Sequence, residues 1–217
     1  MLRQPYRRTA IVVGVLLIVC LVASVLSVAP LGSMLDSPVD LTRLAANDDR
    51  VVLTALIEFV AAASGARIAI ALYPVLRHYG RAVAFGAAAA RVATGVLVLV
   101  GTLSLLALVT LAQESVSSGS TDSAATDASV QVLLAVRDWV TNFMISQPFL
   151  LGAGMHYYLM YRSAVVPRWL SGWGLLGVAV SLVATLYAGF TQDFGFSTFS
   201  TALNAPIGLQ EMVLALC

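Results

Sequence analysis

Lysine is absent from this chain, and charge of either sign is scarce. Asp, Glu, Lys and Arg together supply 11% of the 217 residues, less than half of the roughly one-quarter usual in soluble domains. All twelve basic residues are arginine, a bias attributed to genomic base composition rather than to chemistry. A net charge of +1 offers no basic field for nucleic acid. Cysteine occurs twice, Cys20 inside an apolar run and Cys217 as the last residue. Two cysteines so placed make neither a disulfide framework nor a metal motif. The two histidines, His78 and His156, lack the helical spacing of a ligand pair, so neither haem nor metal is expected. Gly-x-Ser-x-Gly, His-Glu-x-x-His and a phosphate-binding glycine loop are all missing. An intramembrane hydrolase using Ser64 or Ser171 with His156 has no geometry behind it, and no catalytic residue or cofactor is assigned.

What the chain has in quantity is apolar surface. Hydrophobic residues reach 59% and mean hydropathy is +0.91. Runs of about 20 apolar residues recur, each long enough to cross a bilayer. The expected fold is an all-α, polytopic transmembrane helical bundle forming one membrane domain. Five full spans are placed at about 11–29, 51–74, 83–112, 139–160 and 169–190, with a short, truncated sixth at 207–217. Outer loops are expected at 30–50, 113–129 and 191–206.

The first span follows Arg3, Arg7 and Arg8 and ends in small residues, which imitates a signal peptide. Pro30, directly after the would-be cleavage site, favours a retained anchor. Ser37-Pro38-Val39-Asp40 carries helix-start signals, and Leu41 and Leu44 suit a short amphipathic helix on the membrane surface. Asn47-Asp48-Asp49 offers caps for the second span. The third apolar run exceeds one crossing, so a tilt or a displaced Arg91 is expected. The Ser/Thr-rich segment 113–129 reads as a flexible loop, and Pro148 as a kink in the fourth span.

Orientation follows from arginine. The inner segments hold Arg3, Arg7, Arg8, Arg77, Arg81, Arg162 and Arg168 without an acid, whereas most acids fall in the outer ones. That bias places the N-terminus in the cytoplasm of a cell with the protein in its inner (plasma) membrane. The bilayer is the first partner; a transporter with so few helices also needs a homo-oligomer.

Charges inside apolar runs are expensive and usually face a bundle interior. Glu58 and Glu211 read as one outer acidic layer, which suits a proton or cation site. The alternative is hydrogen bonding across helices to Ser, Thr, Asn or Gln, with Asn142, Gln147 and Gln210 at hand. Arg67 and Arg91 share an inner layer without an acid. They call for a lipid phosphate or anionic solute, or else for snorkelling to the interface. Arg137 and Asp138 are set at the outer rim, and His156 in the inner part of the fourth span. Nine residues separate Glu58 from Arg67, half a turn and ~14 Å along a helix, so these two cannot pair. The functional expectation is a non-enzymatic membrane protein whose polar interior binds or transports a small ion, anion or lipid headgroup. A structural or accessory subunit with paired charges is the alternative, and an intramembrane enzyme a lesser one.

Several phrases carry a resemblance. They are Glu58 in a span running into Leu72-Tyr73-Pro74-Val75-Leu76, Arg91, Leu159-Met160-Tyr161-Arg162-Ser163, Val166-Pro167-Arg168-Trp169-Leu170-Ser171-Gly172-Trp173-Gly174, and Leu209-Gln210-Glu211-Met212-Val213-Leu214-Ala215. With them the chain resembles a bacterial and archaeal multi-pass membrane family known as domain of unknown function 4386. The resemblance implies a multi-helix membrane fold and no activity. It departs at the end, where the family's last helix runs on to a basic tail and this one stops at Cys217.

Overall fold

The structure is a computed structural model that describes residues 4–35, 38–121, 123–192, 194 and 198–216. Among these every regular element is helical: α1 (Gln4–Leu26), α2 (Leu41–Ala45), α3 (Asp48–Leu76), α4 (Arg81–Ser118), α5 (Ala124–Asp138), a π-helical turn (Trp139–Met144), α6 (Ser146–Ser163), α7 (Arg168–Thr191) and α8 (Thr198–Leu216). Four of them, Arg7–Leu26 within α1, α3, α4 and α7, are long and apolar enough to cross a membrane. Their outward faces keep large apolar side chains such as Val15, Leu56, Phe85, Leu103 and Leu176 exposed. Lipid solvates such a surface at no cost, and water does not. The chain is a helical membrane protein.

Helices α1, α3, α4, α6, α7 and α8 pack each on the next, and α8 returns to α1. The result is a closed ring. Small residues set its spacing, as they do between membrane helices generally. A Cβ on Gly14 of α1 would stand 2.6 Å from the Ala215 carbonyl of α8, and one on Gly177 of α7 would meet Ile207 at 3.3 Å. Gly174, Gly177 and Ser181 are all buried on α7. The tight turns at 77–80 and 164–167 gather Arg77, Arg81, Arg162 and Arg168 at the same end as Arg7 and Arg8; we call it the basic end. Arg3, Asp36, Ser37, Asp122, Asp193 and Cys217 lie outside the described residues.

Several expectations give way here. Helix α4 has 38 residues, ~57 Å at 1.5 Å per residue, nearly twice the ~30 Å of a hydrocarbon core. Its surplus is absorbed by a second apolar core. Leu41 and Leu44 of α2, Val51 of α3, Leu105, Leu108 and Ala112 of α4, and Val130 of α5 are buried together with Leu31 and Met34. Thus α2 lies against α4 rather than on the membrane surface, and it starts at Leu41, where Asp40 accepts from the Arg43 N–H at 3.0 Å. Asn47 makes no side-chain cap for α3. Instead Asp48 accepts from the Gln113 side-chain amide at 3.0 Å, tying α3 to α4.

The segment 113–129 is mostly helix. Ser117 and Ser118 return their hydroxyls to the Glu114 carbonyl, Gly119 ends α4 at φ 66°, and Ser123 accepts from the Thr126 N–H as the N-cap of α5. The polar side chains that look like loop composition are serving as caps and back-bonds. At Pro148 the missing N–H is accommodated one turn earlier. The chain winds as a π-helix over Trp139–Met144, with the Ile145 N–H donating to the Val140 carbonyl at 3.0 Å. Such π-turns mark a ladder that has been interrupted. Finally, α8 begins at Thr198, inside the expected loop 191–206, and runs 19 residues, ~28 Å. Further along it, Ile207 packs against Gly177 of α7.

Candidate functional site

Two charged pairs join the helices of the ring, at different depths. The first is formed by Glu58 of α3 and Arg137 at the end of α5, with Nη2 2.8 Å from Oε1. Arg137 also donates from Nη1 to the Gly101 carbonyl at 3.0 Å, and the Thr102 hydroxyl donates to Glu58 Oε2. Both carboxylate oxygens and two guanidinium nitrogens are therefore occupied. Leu26, the last residue of α1, lines the same surface groove as Leu56 and Ile57. Glu58 thus stands level with the end of α1, ~27 Å along α3 from Leu76. The pair sits at the rim of the ring, where α5 packs against α4.

The second pair lies at mid-depth. Arg91 is ten residues into α4, ~15 Å from the basic end, and its Nη2 is 3.1 Å from Glu211 Oε1 on α8. The Tyr157 hydroxyl of α6 donates to the same oxygen at 3.4 Å. Arg91 lies over the Phe149 ring, Cζ 4.3 Å from the centroid, an attraction worth ~1 kcal/mol or more when desolvated. Its Nε is buried and has no partner. Gly174 holds the Tyr157 ring in place, since a Cβ there would meet it at 2.8 Å.

This second pair forms the polar wall of a cavity of about 140 Å³. His156, only 4% exposed, lies on the same wall. The remainder is apolar, with Val13 and Leu17 of α1, Ile68 and Leu72 of α3 and Leu214 of α8. The cavity extends to Thr9 in the first turns of α1 and to the turn Val165–Pro167, both at the basic end. Its volume is close to the ~150 Å³ that admits one benzene in an engineered protein core.

The sequence-derived layering is therefore rearranged. Glu58 and Glu211 are not one layer: Glu58 meets Arg137 at the rim and Glu211 meets Arg91 below it. The reason is the start of α8. Counted from residue 207, Glu211 is shallow; counted from Thr198 it is 13 residues, ~20 Å, along its helix. The inner layer thus contains an acid after all. Arg67 is exposed on α3 and forms no ion pair with the described residues. Asn142 donates to the Asp138 carbonyl at 3.0 Å, not to an acid. The Gln147 amide nitrogen is buried without a partner, and Gln210 donates to the Leu170 carbonyl at 3.4 Å. Asp138 is exposed. Thr102, Gly101 and Phe149 joined the clusters without a sequence signal, because a lone threonine, glycine or phenylalanine in an apolar run shows no preference for any partner.

Arginine and glutamate on facing helices, with a tyrosine hydroxyl and a histidine beside an apolar cavity, can bind a charged group and exchange a proton with it. No assembly of nucleophile, base and oxyanion donors accompanies them among the described residues. No curated protein and no solved structure matches the chain. The family described as "Domain of unknown function (DUF4386)" matches residues 12–216, nearly the full length, and the chain belongs to that family.

Proposed function

We propose that the protein is a non-enzymatic membrane protein that binds, and as an oligomer transports, a small anion with a short apolar portion, held at Arg91 in the cavity of the helix ring. The observation that carries this reading is the state of Arg91. It lies at mid-depth on a cavity wall, has a single acidic partner, and keeps a buried Nε without an acceptor. A guanidinium has five donors in a planar fork, and here much of that capacity is unspent. The apolar walls match a ligand of roughly benzene size.

Calorimetric titration of the purified protein with 1-butanesulfonate near pH 6 tests this. Binding is expected in the wild type, with a loss of at least about tenfold, ~1.4 kcal/mol, in Arg91→Gln and little change in Thr102→Val. Equal binding by Arg91→Gln overturns the reading. Repeating the titration in vesicles with and without phosphatidylglycerol separates a soluble anion from a lipid headgroup, because only the latter source competes.

The other pair favours the second reading, a structural role for charge. Glu58 and Arg137 satisfy one another and do not line the cavity beside Arg91. Orientation belongs to the proposal as well. Six arginines, Arg7, Arg8, Arg77, Arg81, Arg162 and Arg168, mark the basic end, whereas Arg43 and Arg50 stand among acids at the other. The positive-inside rule then favours a cytoplasmic N-terminus, and the plasma membrane is part of the same proposal. A reporter inserted at Tyr79 that is active only on the outer face would reverse this assignment. Arg67, exposed ~14 Å from the basic end of α3, supports a contact outside the chain, with a second copy or a lipid phosphate.

A further inference from the structure

The cavity pair is neutral as it stands, and that constrains how an anion can enter. Taking Arg91 as the anion site, the reading of the preceding subsection, we infer that Glu211 is a displaceable counterion. A monoanion with a short apolar tail takes its place on Arg91, and Glu211 accepts one proton as it is released. The solute class is thus a small monoanion bound together with a proton.

The charge count carries the argument. Arg91 and Glu211 are 11% and 14% exposed, and a second anion beside them would leave an uncompensated negative charge in a weakly polar setting. Like charges at such range oppose each other's ionised forms, and one proton restores neutrality. Geometry makes the exchange feasible. The pair is held by one contact of 3.1 Å from Nη2 and not by a two-pronged fork, so most of the five guanidinium donors are left for an incoming oxygen at the cavity wall. The Tyr157 hydroxyl, 3.4 Å from Glu211 Oε1, donates to the carboxylate and, with its hydrogen turned away, accepts from the protonated acid. No bond other than O–H is made or broken. The proton comes from water, and it returns there when the anion leaves.

Other groups around Glu211 define the alternatives. Arg91 comes from α4, and His156 and Tyr157 from α6. Cys20 of α1 is within electrostatic reach, with Arg7 and Arg8 at the exposed start of that helix. Helix α7 meets this part of α8 at Leu170, whose carbonyl accepts from Gln210, and the charged group it carries nearby is Arg168, exposed at its start. His156 is therefore the main rival for the proton.

The test uses 1-butanesulfonate, which stays ionised at every pH of interest, so any proton taken up belongs to the protein. Its affinity for the purified wild type, measured between about pH 5.5 and 7.5, is expected to rise about tenfold per unit of acidification, the slope of one linked proton. Glu211→Gln should bind with no pH dependence and at least as tightly as the wild type at the acid end. His156→Gln should keep the slope. Calorimetry of the wild type in buffers of different ionisation enthalpy should count about one proton per sulfonate, which decides the matter even if Glu211→Gln does not fold. A flat wild-type profile, a slope that survives in Glu211→Gln, or one that vanishes in His156→Gln overturns the inference while leaving the anion site intact. Absence of sulfonate binding at any pH overturns the anion site itself.

Discussion

The two ion pairs of the ring have the same chemistry and nearly the same burial, with side chains 12% and 12% exposed in one and 11% and 14% in the other. They differ in how completely they are satisfied. At the rim, Glu58 has a partner on each oxygen and Arg137 gives two nitrogens to separate acceptors. At mid-depth, Arg91 and Glu211 share one longer contact, one guanidinium nitrogen has no acceptor, and a cavity adjoins them. Burial alone does not separate a structural charge from a working one. The unspent hydrogen-bonding capacity and the adjoining space do.

The largest effect is expected where the pair is closed. Arg137→Gln leaves Glu58 buried without its counter-charge, and breaking such a pair costs roughly 3–5 kcal/mol. Thermal unfolding in detergent should show it as the largest drop in Tm of any single substitution at these two sites. The double variant Glu58→Gln with Arg137→Gln should recover much of the loss, because no lone charge remains. Arg91→Gln is the counterpart. Water reaching the cavity and proton uptake by Glu211 should soften its loss to about half of that, with anion binding lost at the same time. If Arg91→Gln proves as damaging to Tm as Arg137→Gln, the distinction between a closed and a working pair fails.

How far these pairs could be read from the sequence depends on what sets their depth. The helical membrane fold follows from apolar run length, and so does the identity of Glu58, Arg91 and Glu211 as interior polar residues, because charge inside an apolar run is rare enough to stand out. Their partners follow from where helices begin, and this is weakly written. Pro206 and Asn204 within the last helix, and the serines of 117–123, look like loop composition. The serines act as caps and back-bonds, and the last helix packs on α7 and α1, neither of which composition alone displays. A start at Thr198 in place of residue 207 sets Glu211 ~13 Å further along its helix, at the depth of Arg91 and not of Glu58. Arg137 was readable as a rim residue, but nothing local links it to Glu58, 79 positions away.

The two hydroxyls offer the finest comparison. Thr102→Val removes the donor to Glu58 Oε2 while keeping the side-chain volume, and hydrogen bonds between membrane helices are worth on average ~0.6 and at most ~1.7 kcal/mol. A charged acceptor with no other donor on that oxygen puts this one at the upper end, about 1.5 kcal/mol. Tyr157→Phe is expected to cost under about 0.6 kcal/mol, since its bond to Glu211 is long at 3.4 Å and Gly174 holds the ring whether or not the hydroxyl is present. Its consequence should appear in binding instead. Without that hydroxyl the protonated carboxyl loses its acceptor, so sulfonate affinity at low pH should fall several-fold while Tm barely moves. Equal Tm losses for Thr102→Val and Tyr157→Phe, with sulfonate affinity unchanged in both, would mean that the hydroxyl at the cavity is as structural as the one at the rim.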